Sequence, residues 1–425
     1  MNTDVPTFTS ALAEPTRSPG RRWIAAMCLL NAGIMLALYA PIQVLLAQQS
    51  ESILPGSKET LLAWTMALGA LSATIFNPVW GTLSDRTTSR RGRRWPWVAG
   101  GAVVSVAALL YLSTASSVAG LIVGWVLAQA AVNAMFSPIV AAIPDLVPRA
   151  ERGVTGGLIA VSQTAGIALA SGIPYLTGSI KGGYALAAVL LVVLAIPYLL
   201  HSRDVPLRPG ELEAARASRV PKGDRTAEHT AKDAAVRRDF WWAFVTRFLM
   251  WFGNSLMLLF LFYYLQDQLA LGRDKAVAGM FMLTATYALI AAVTAVIGGR
   301  WSDRVGKRKP FVMGSGLVTS LAFGVLVVTN SFAMTLVAAI VLGIGFGTYQ
   351  SVDFALITQV LPGADGRGRD MGILNVAAGL PQFVAPMVSI ALIAGYGVNY
   401  QLIFGLGGVV SIVGSVLVRQ IRGVE

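Results

Sequence analysis

A charged loop reads GTLSDR at positions 81–86 and GRRWPW at 92–97, and it occurs again as GRWSDR at 299–304 and GKRKPF at 306–311. The Asp-Arg part recurs after 218 positions and the Gly/Pro part after 214, so the first copy is four residues longer. Pro148 recurs as Pro362, again 214 positions later, and each is followed by an arginine, Arg152 and Arg367. Copies of one charged loop between matched apolar segments indicate an internally duplicated membrane protein.

Composition supports the membrane assignment. Apolar residues make up 55% of the 425, charged residues only 13%, and the mean hydropathy is +0.65. A membrane-spanning helix needs about 20 largely apolar residues, and twelve such runs are centred near positions 35, 70, 108, 131, 166, 192, 253, 287, 320, 344, 383 and 410. The first run is too long for a signal-peptide core and lacks a cleavage pattern, so we interpret it as a retained helix.

The predicted fold class is therefore an all-α membrane protein with 12 transmembrane helices in two six-helix repeats. The expected organisation is a tail at 1–22, a six-helix bundle at 23–200, a linker at 201–240, a second bundle at 241–419 and a tail at 420–425. The linker contains nine Lys or Arg and seven Asp or Glu. Its low hydrophobicity and mixed charge suit either a surface helix or disorder.

Basic residues are distributed unevenly between the two sides of the predicted membrane topology. The net charge is +12, and 28 of the 33 Lys and Arg fall on the side that holds the tails and the linker. This asymmetry is the positive-inside pattern, which predicts that both termini are cytoplasmic. The compact chain and its composition favour a bacterial inner membrane as the location. The basic residues thus fit a lipid bilayer rather than nucleic acid as the partner.

Several function classes find no support in the sequence. Cys28 is the only cysteine and lies within the first apolar run, which excludes a disulfide framework and a thiol-based metal site. There is no nucleotide-binding Gly-x-x-x-x-Gly-Lys-Ser/Thr loop, no His/Cys/carboxylate cluster and no catalytic triad in position. We therefore expect neither an enzyme nor a cofactor or metal.

At these motifs the chain resembles the major facilitator superfamily, whose loop between helices 2 and 3 reads Gly-x-x-x-Asp-Arg followed by Gly-Arg-Arg/Lys. The longer first loop, DRTTSRRGRRWP at 85–96, is most similar to the sucrose-type and glycoside-pentoside-hexuronide branch. Sodium-coupled members of that branch carry aspartates in the second helix, and 61–80 contains no acidic residue here, which argues against such a sodium site. The resemblance implies a monomer in which two halves rock about a site near the membrane midplane.

The resemblance also implies roles for the charged loops. Asp85 and its copy Asp303 are expected to engage arginines and helix ends when the cytoplasmic gate is closed, with Arg149 and Arg152 as candidate partners of Asp85, and Arg367 and Arg369 as those of Asp303. The alternative is a plain solvated charge, since exposed ion pairs contribute only about 0 to 1 kcal/mol. The full set of expected gating residues is Asp85, Arg86, Arg94, Arg152, Asp303, Arg304, Arg308 and Arg367.

Two ionisable residues lie well inside apolar runs, Arg247 in the seventh and Asp353 in the tenth. A charge at the centre of a membrane helix costs about 2.5 to 3.5 kcal/mol, so it usually faces the bundle interior and has a partner. At 1.5 Å per residue the two side chains lie at comparable depth and could pair. The pair could be a structural salt bridge, or it could handle substrate or protons, with Asp353 as the better candidate for proton coupling.

Uncharged polar and aromatic residues near the midplane are the expected lining of a substrate cavity. Such groups suit a hydroxyl-rich solute, although for any one of them an interhelical hydrogen bond is an equally good interpretation. The expected substrate-binding residues are Asn31, Tyr39, Gln129, Asn133, Gln163, Trp251, Asn254, Tyr349, Gln350, Asn375 and Gln382.

These features favour a secondary active transporter of a small polar solute, such as a sugar or glycoside, by proton-coupled symport. The first alternative is a proton-antiport exporter of drugs or secondary metabolites, because the aromatic-rich seventh helix and the scarcity of buried charge suit a lipophilic substrate as well. A receptor or scaffold on the same fold has little support.

Overall fold

A computed structural model describes residues 15–148, 151–202, 204, 206–207, 228–359, 373–374 and 376–423. These residues contain no β-strand and form twelve helices that are long and apolar enough to cross a membrane, which confirms the predicted fold class. The membrane-spanning segments are α1 Arg21–Ile53, α2 Pro55–Asp85, α3 Trp95–Thr114, α4 Val118–Leu146, α5 Val154–Thr177, α6 Ile180–His201, α7 Arg237–Gln268, α8 Arg273–Val305, α9 Lys309–Val328, α10 Phe332–Asp353, α11 Val376–Tyr396 and α12 Tyr400–Gln420.

Local sequence explains where several of these helices begin. Pro96 and Pro310 lie in the first turns of α3 and α9, where a missing backbone N–H costs nothing. The side chains of Ser117, Ser179 and Asn399 each accept a hydrogen bond from a backbone N–H three residues later and so cap α4, α6 and α12. The apolar runs therefore start as helices at sites that the loop chemistry defines.

The two halves have the same internal packing. In the first half, α1 packs against α5 and α6, α3 against α4 and α6, and α2 against α4. In the second half, α7 packs against α11 and α12, α9 against α10 and α12, and α8 against α10, which is the same pattern with six added to each number. Between the halves, α2 packs against α11 and α5 against α8, as a two-fold relation requires. The duplication predicted from the loops is thus present in the packing.

The bundle has two ends, which we name by their connections. The linker side is the end where α6 stops and α7 starts, and the distal side is the opposite end. On the distal side, the Lys58 ammonium on α2 lies 2.8 Å from the Asp267 carboxylate on α7. The Tyr263 hydroxyl on α7 donates a 2.7 Å hydrogen bond to the carbonyl of Ala47 on α1. These contacts join the halves, so the distal side is closed.

Both ends of the predicted linker are anchored to their own half. The helix that contains α7 reaches back to Glu228, inside the linker expected at 201–240. Asp204 accepts a 3.1 Å hydrogen bond from the backbone N–H of Trp95, at the start of α3. Asp239 accepts a 3.0 Å hydrogen bond from the backbone N–H of Arg422, after α12. The segment boundaries expected from the sequence otherwise stay predictions.

Candidate transport site

The two predicted intramembrane charges contact each other. The Arg247 guanidinium on α7 donates to the Asp353 carboxylate on α10. Their side chains are 11% and 9% exposed, so the pair is largely shielded from solvent. Tyr349 lies one turn before Asp353, and its hydroxyl faces the carboxylate without a well-formed hydrogen bond. The contact ties α7 to α10 within the second half, which fits either interpretation of the pair.

Four buried polar atoms near this pair have no hydrogen-bond partner among the described residues: Arg247 Nε, Trp251 Nε1, Asn254 Oδ1 and the Tyr349 hydroxyl. The spacing of Arg247, Trp251 and Asn254 places them on one face of α7. Phe346 joins the two helices, because its ring lies 5.2 Å from that of Trp251 and 5.6 Å from that of Tyr349. An unpaired buried polar group costs about 1–3 kcal/mol, so this group of atoms indicates a place adapted to bind polar groups.

In the first half, several predicted substrate-binding residues bond to other helices or to their own helix. The Gln163 amide on α5 donates a 2.8 Å hydrogen bond to Asn31 on α1. The Asn77 amide on α2 donates a 3.0 Å hydrogen bond to Asn133 on α4, and Asn133 itself donates to the carbonyl of Gln129. These bonds match the alternative that polar groups join membrane helices. Fewer unpaired hydrogen-bonding atoms therefore remain for a solute here than near Arg247.

A cavity lies between the two halves, toward the distal side. It holds roughly 60 Å³ of free space and is lined by α1 and α5 of the first half and α7 to α10 of the second. Tyr39 is the member of the predicted substrate-binding set that lines it. Most of the other lining residues are apolar, whereas Gln43 carries a buried Oε1 without a partner in the described part of the chain. Met257 in the lining lies ten residues beyond Arg247 on α7, about 15 Å farther along the helix.

The remaining predicted substrate-binding residues are not among those described near Arg247 or in the lining of the cavity. Gln350 on α10 and Gln382 on α11 are exposed side chains. Asn375 lies outside the described residues. Gln43 and Asn77 were missed from the sequence, although an amide inside an apolar run is the signal by which the other amides were selected.

The first charged loop folds around Arg94, which is only 2% exposed. Its guanidinium lies 2.6 Å from Asp85 and 2.9 Å from Asp145 on α4, and it donates a 2.5 Å hydrogen bond to Ser84. Arg93 pairs with the same Asp145 at 2.6 Å. The loop therefore binds the linker-side ends of α2, α3 and α4 to one another.

The second charged loop repeats this geometry with fewer partners. Arg308 lies 2.5 Å from Asp303 and donates a 3.0 Å hydrogen bond to Ser302. Gly92 and Gly306 precede the two arginines by two residues and have φ angles of 93° and 72°, which favour glycine. The loop register read from the sequence thus corresponds to one shared conformation, in which each aspartate pairs with an arginine of its own loop.

The other expected gating residues are placed differently. Arg152 donates to the carbonyl oxygens of Val147 and Pro144, at 3.0 and 2.9 Å. Arg86 and Arg304 are exposed. Arg367, together with the candidate partners Arg149 and Arg369, lies outside the described residues.

The sequence did not point to the acids that organise the linker side. Asp145 lies three residues before the repeated Pro148, and Asp204 is one of the seven acidic residues of the linker. Burial raises the pKa of Asp204, although the backbone N–H groups and charges of Arg94 and its neighbours oppose that shift. Both acids are far in sequence from the groups they bind, so spacing gives no signal for them.

The sequence profile of the Major Facilitator Superfamily matches residues 23–285 and 268–423. An uncharacterised MFS-type transporter of Mycobacterium tuberculosis is 27% identical over 195 residues, which are 45% of this chain and 32% of that protein. The chain therefore spans about a third of the length of the curated relative that it matches.

Solved structures of transporters share the fold. A variant of the peptide transporter POT in complex with alafosfalin superposes with a TM-score of 0.75 at 17% identity, over 98% of each chain. A POT family transporter in complex with 5-aminolevulinic acid gives 0.74 at 14% identity, over 97% of this chain and 98% of the other. A bacterial homologue of the human lysosomal transporter Spinster, inward-facing and unoccupied, gives 0.65 at 15% identity, over 93% of each. At these identities the likeness is one of fold.

Proposed function

Because the chain belongs to the Major Facilitator Superfamily, and is thus a multi-pass membrane transporter, we propose that it moves a small solute by proton-coupled secondary transport. The leading candidate is symport of a sugar or glycoside. Under this proposal the protein works as a monomer in the inner membrane, with both termini in the cytoplasm and without a cofactor or metal.

The buried contact between Arg247 and Asp353 is the observation that carries the coupling proposal. Removing one partner of a buried ion pair leaves an uncompensated charge, which costs about 3–5 kcal/mol. A proton on Asp353 removes that cost, so Arg247 can leave the carboxylate when the carboxylate is protonated. Movement of Arg247 toward a bound solute would thereby be linked to proton binding at Asp353.

The neighbouring unpartnered atoms support a hydroxyl-rich solute. Arg247 Nε and Trp251 Nε1 are hydrogen-bond donors, Asn254 Oδ1 is an acceptor, and the Tyr349 hydroxyl can be either. Sugar hydroxyl groups both donate and accept, so they can satisfy all four atoms. The aromatic ring of Trp251 offers an apolar face that suits the C–H face of a sugar.

The closed distal side supports alternating access. If the linker side is cytoplasmic, as the positive-inside pattern indicates, the halves are joined at the end away from the cytoplasm in this conformation. The predicted gating residues Asp85, Arg94, Asp303 and Arg308 then pair within their own halves. We propose that these pairs rearrange when the halves approach each other on the linker side.

The apolar cavity between the two halves favours a second candidate, a proton-antiport exporter of lipophilic compounds. Its lining is mostly apolar side chains of α7 to α10, such as Met257, Leu261 and Leu342. A lipophilic body would bury apolar surface there at about 25 cal/mol per Å². The same Asp353 could exchange a proton for the compound.

Purified protein in liposomes with a trapped pH dye tests the proposal. We expect protons to enter together with a sugar or glycoside from a panel of candidate solutes, and not in protein-free liposomes. Protons that move against a lipophilic cation would instead favour the exporter. Proton flux that no solute changes, across sugars, glycosides and lipophilic cations, would contradict coupling to these substrate classes.

A matched pair of variants tests the position of the site. Trp251→Phe removes the unpartnered indole N–H beside Arg247 and should weaken solute-dependent proton uptake several-fold. Trp23→Phe removes a buried indole N–H that also lacks a partner among the described residues, but at the linker-side end of α1, and should leave uptake unchanged. Equal effects of the two changes would contradict the proposed site.

A further inference from the structure

One face of α7 carries both the polar atoms near Arg247 and part of the apolar cavity. Its members follow one another at spacings of four or three residues, which places them in one row along the helix: Arg247, Trp251, Asn254, Leu258 and Leu261. The first three carry the buried charge or buried polar atoms without a partner among the described residues. The two leucines line the cavity. This face is therefore polar toward the linker side and apolar toward the distal side.

The facing row on α10 has the same division. It runs from the distal side to the linker side with the same spacings and contains Ala339, Leu342, Phe346, Tyr349 and Asp353. Ala339 and Leu342 line the cavity, whereas Asp353 binds Arg247. Phe346 lies between the two parts, and its ring is 5.2 Å from that of Trp251 on α7. The two rows thus form one seam with a polar end and an apolar end.

The two ends of the seam are close enough for one small solute. Tyr287 on α8 lines the cavity and also packs against the hydrophobic cluster that contains Phe346, so the cavity and the polar end share a wall. At 1.5 Å per residue, Leu258 and Leu261 lie about 6 Å and about 10 Å beyond Asn254 along α7. A sugar ring that carries a short chain covers such a distance.

The size of the cavity indicates which chain fits its apolar end. The free space is about 60 Å³, less than half of the roughly 150 Å³ in an engineered apolar cavity that binds benzene. An unbranched alkyl chain of a few carbons therefore enters with less rearrangement than an aromatic ring. Each methylene that leaves water for this space should raise the affinity about fourfold.

We propose that a single amphipathic solute, a short-chain alkyl glycoside, occupies both ends of the seam. Its hydroxyl-rich head binds at Arg247, Trp251 and Asn254, and its alkyl tail lies in the cavity. The proposal rests on the proposed function, from which it takes the polar site, and it narrows the substrate class. Ala339 and Leu342 become specificity-determining residues, because their side chains limit the space for the tail.

The affinity of a homologous series of solutes tests this proposal. Calorimetric titration of the full-length protein in lipid nanodiscs uses n-alkyl glucosides and n-alkyl galactosides from methyl to pentyl, and empty nanodiscs correct for uptake of the chains by lipid. We expect the affinity for one of the two series to rise about fourfold per methylene and to level off once the cavity is full. The free sugars and the n-alkanols should bind more weakly than the alkyl glycosides, since each fills one end of the seam.

Variants separate the tail site from the head site. Ala339→Leu places a larger side chain in the cavity and should abolish the increase with chain length. Leu342→Ala enlarges the cavity and should favour longer chains, which keeps the test available if Ala339→Leu fails to fold. Trp251→Phe should lower the affinity for every chain length by the same factor. Ala333→Leu makes the matched change at an exposed position of α10 and should keep the wild-type dependence on chain length.

An affinity of the wild type that does not depend on chain length would overturn the proposal, and so would the absence of binding by both series. A free sugar or an n-alkanol that binds as tightly as the best alkyl glycoside would also overturn it. An unchanged dependence in both Ala339→Leu and Leu342→Ala would refute the tail site.

The titration needs no gradient, so it is independent of proton coupling. Proton-coupled sugar uptake together with an affinity that ignores chain length would refute the amphipathic solute alone. An affinity that rises with chain length, without proton-coupled uptake, would refute the coupling proposal and leave the two-part site.

Discussion

The two copies of the charged loop allow one arginine to be compared with its own duplicate. Arg94 is 2% exposed and pairs with Asp145, which is 20% exposed, and with Asp85, which is 52% exposed. Arg308 is 15% exposed and pairs with Asp303, which is 64% exposed. Replacement of each arginine by glutamine removes the same group from two environments that differ mainly in burial.

The expected magnitudes follow from that burial. Breaking a buried pair costs about 3–5 kcal/mol, and the lower end applies to Arg94→Gln because Arg93 still compensates Asp145 at 2.6 Å. An exposed pair contributes about 0–1 kcal/mol, so Arg308→Gln should cost about 1 kcal/mol or less. We therefore expect the free energy of unfolding to differ between the two variants by about 2 kcal/mol.

Reversible unfolding of the purified protein in mixed micelles measures these free energies. Arg86→Gln changes an exposed arginine of the same loop and should alter the free energy of unfolding by less than about 0.5 kcal/mol. Equal losses for Arg94→Gln and Arg308→Gln, or a larger loss for Arg308→Gln, would refute the inference that burial and Asp145 distinguish the two copies.

Three further predictions concern packing and pH. Gly306→Ala should lower the free energy of unfolding by about 1–2 kcal/mol, which is the cost of a positive φ for a residue with a Cβ. Gly92→Ala should lower it by more, because the added Cβ would also collide with the Asp204 side chain. Equal shifts of the melting temperature for the two variants would contradict this. In a double-mutant cycle, Asn31→Ala and Gln163→Ala should show a coupling free energy near 0.6 kcal/mol, the average for a hydrogen bond between membrane helices. A coupling free energy of zero would show that the two side chains are not bonded. Burial raises the native pKa of Asp204, so wild-type stability should fall as pH rises between the unfolded and native values. Asp204→Asn should flatten that slope in melting curves between pH 3 and 7, and an unchanged slope would exclude Asp204 as its source.

Two kinds of feature were predicted well from the sequence: the loops that occur twice, and the depth of charged residues along membrane helices. The offsets of 218 and 214 positions align Asp85 with Asp303 and Arg94 with Arg308, and the structure gives these pairs one geometry. Arg247 and Asp353 were expected at similar depth from a rise of 1.5 Å per residue, and they are in contact. Periodicity and helical rise are local rules, so they transfer directly from sequence to structure.

Contacts between distant segments could not be predicted in this way. Glu59 and Tyr400 are 341 positions apart, and their meeting depends on how one half sits against the other. Lys58 lies between the first two apolar runs, and its sequence position gives no indication of its partner Asp267. From the sequence, Asn31 and Gln163 could equally contact a substrate or bond to another helix. The packing of α1 on α5 shows that the two amides bond to each other.

Solute uptake by the Asp353→Asn protein in liposomes shows whether Asp353 couples proton movement to transport. The control for folding is Arg247→Gln combined with Asp353→Asn, which removes both charges of the pair. We predict that Asp353→Asn abolishes accumulation driven by a pH gradient but retains counterflow of the solute, because binding and alternating access do not need the proton. Accumulation that persists in Asp353→Asn would contradict the assignment of proton coupling to the Arg247–Asp353 pair.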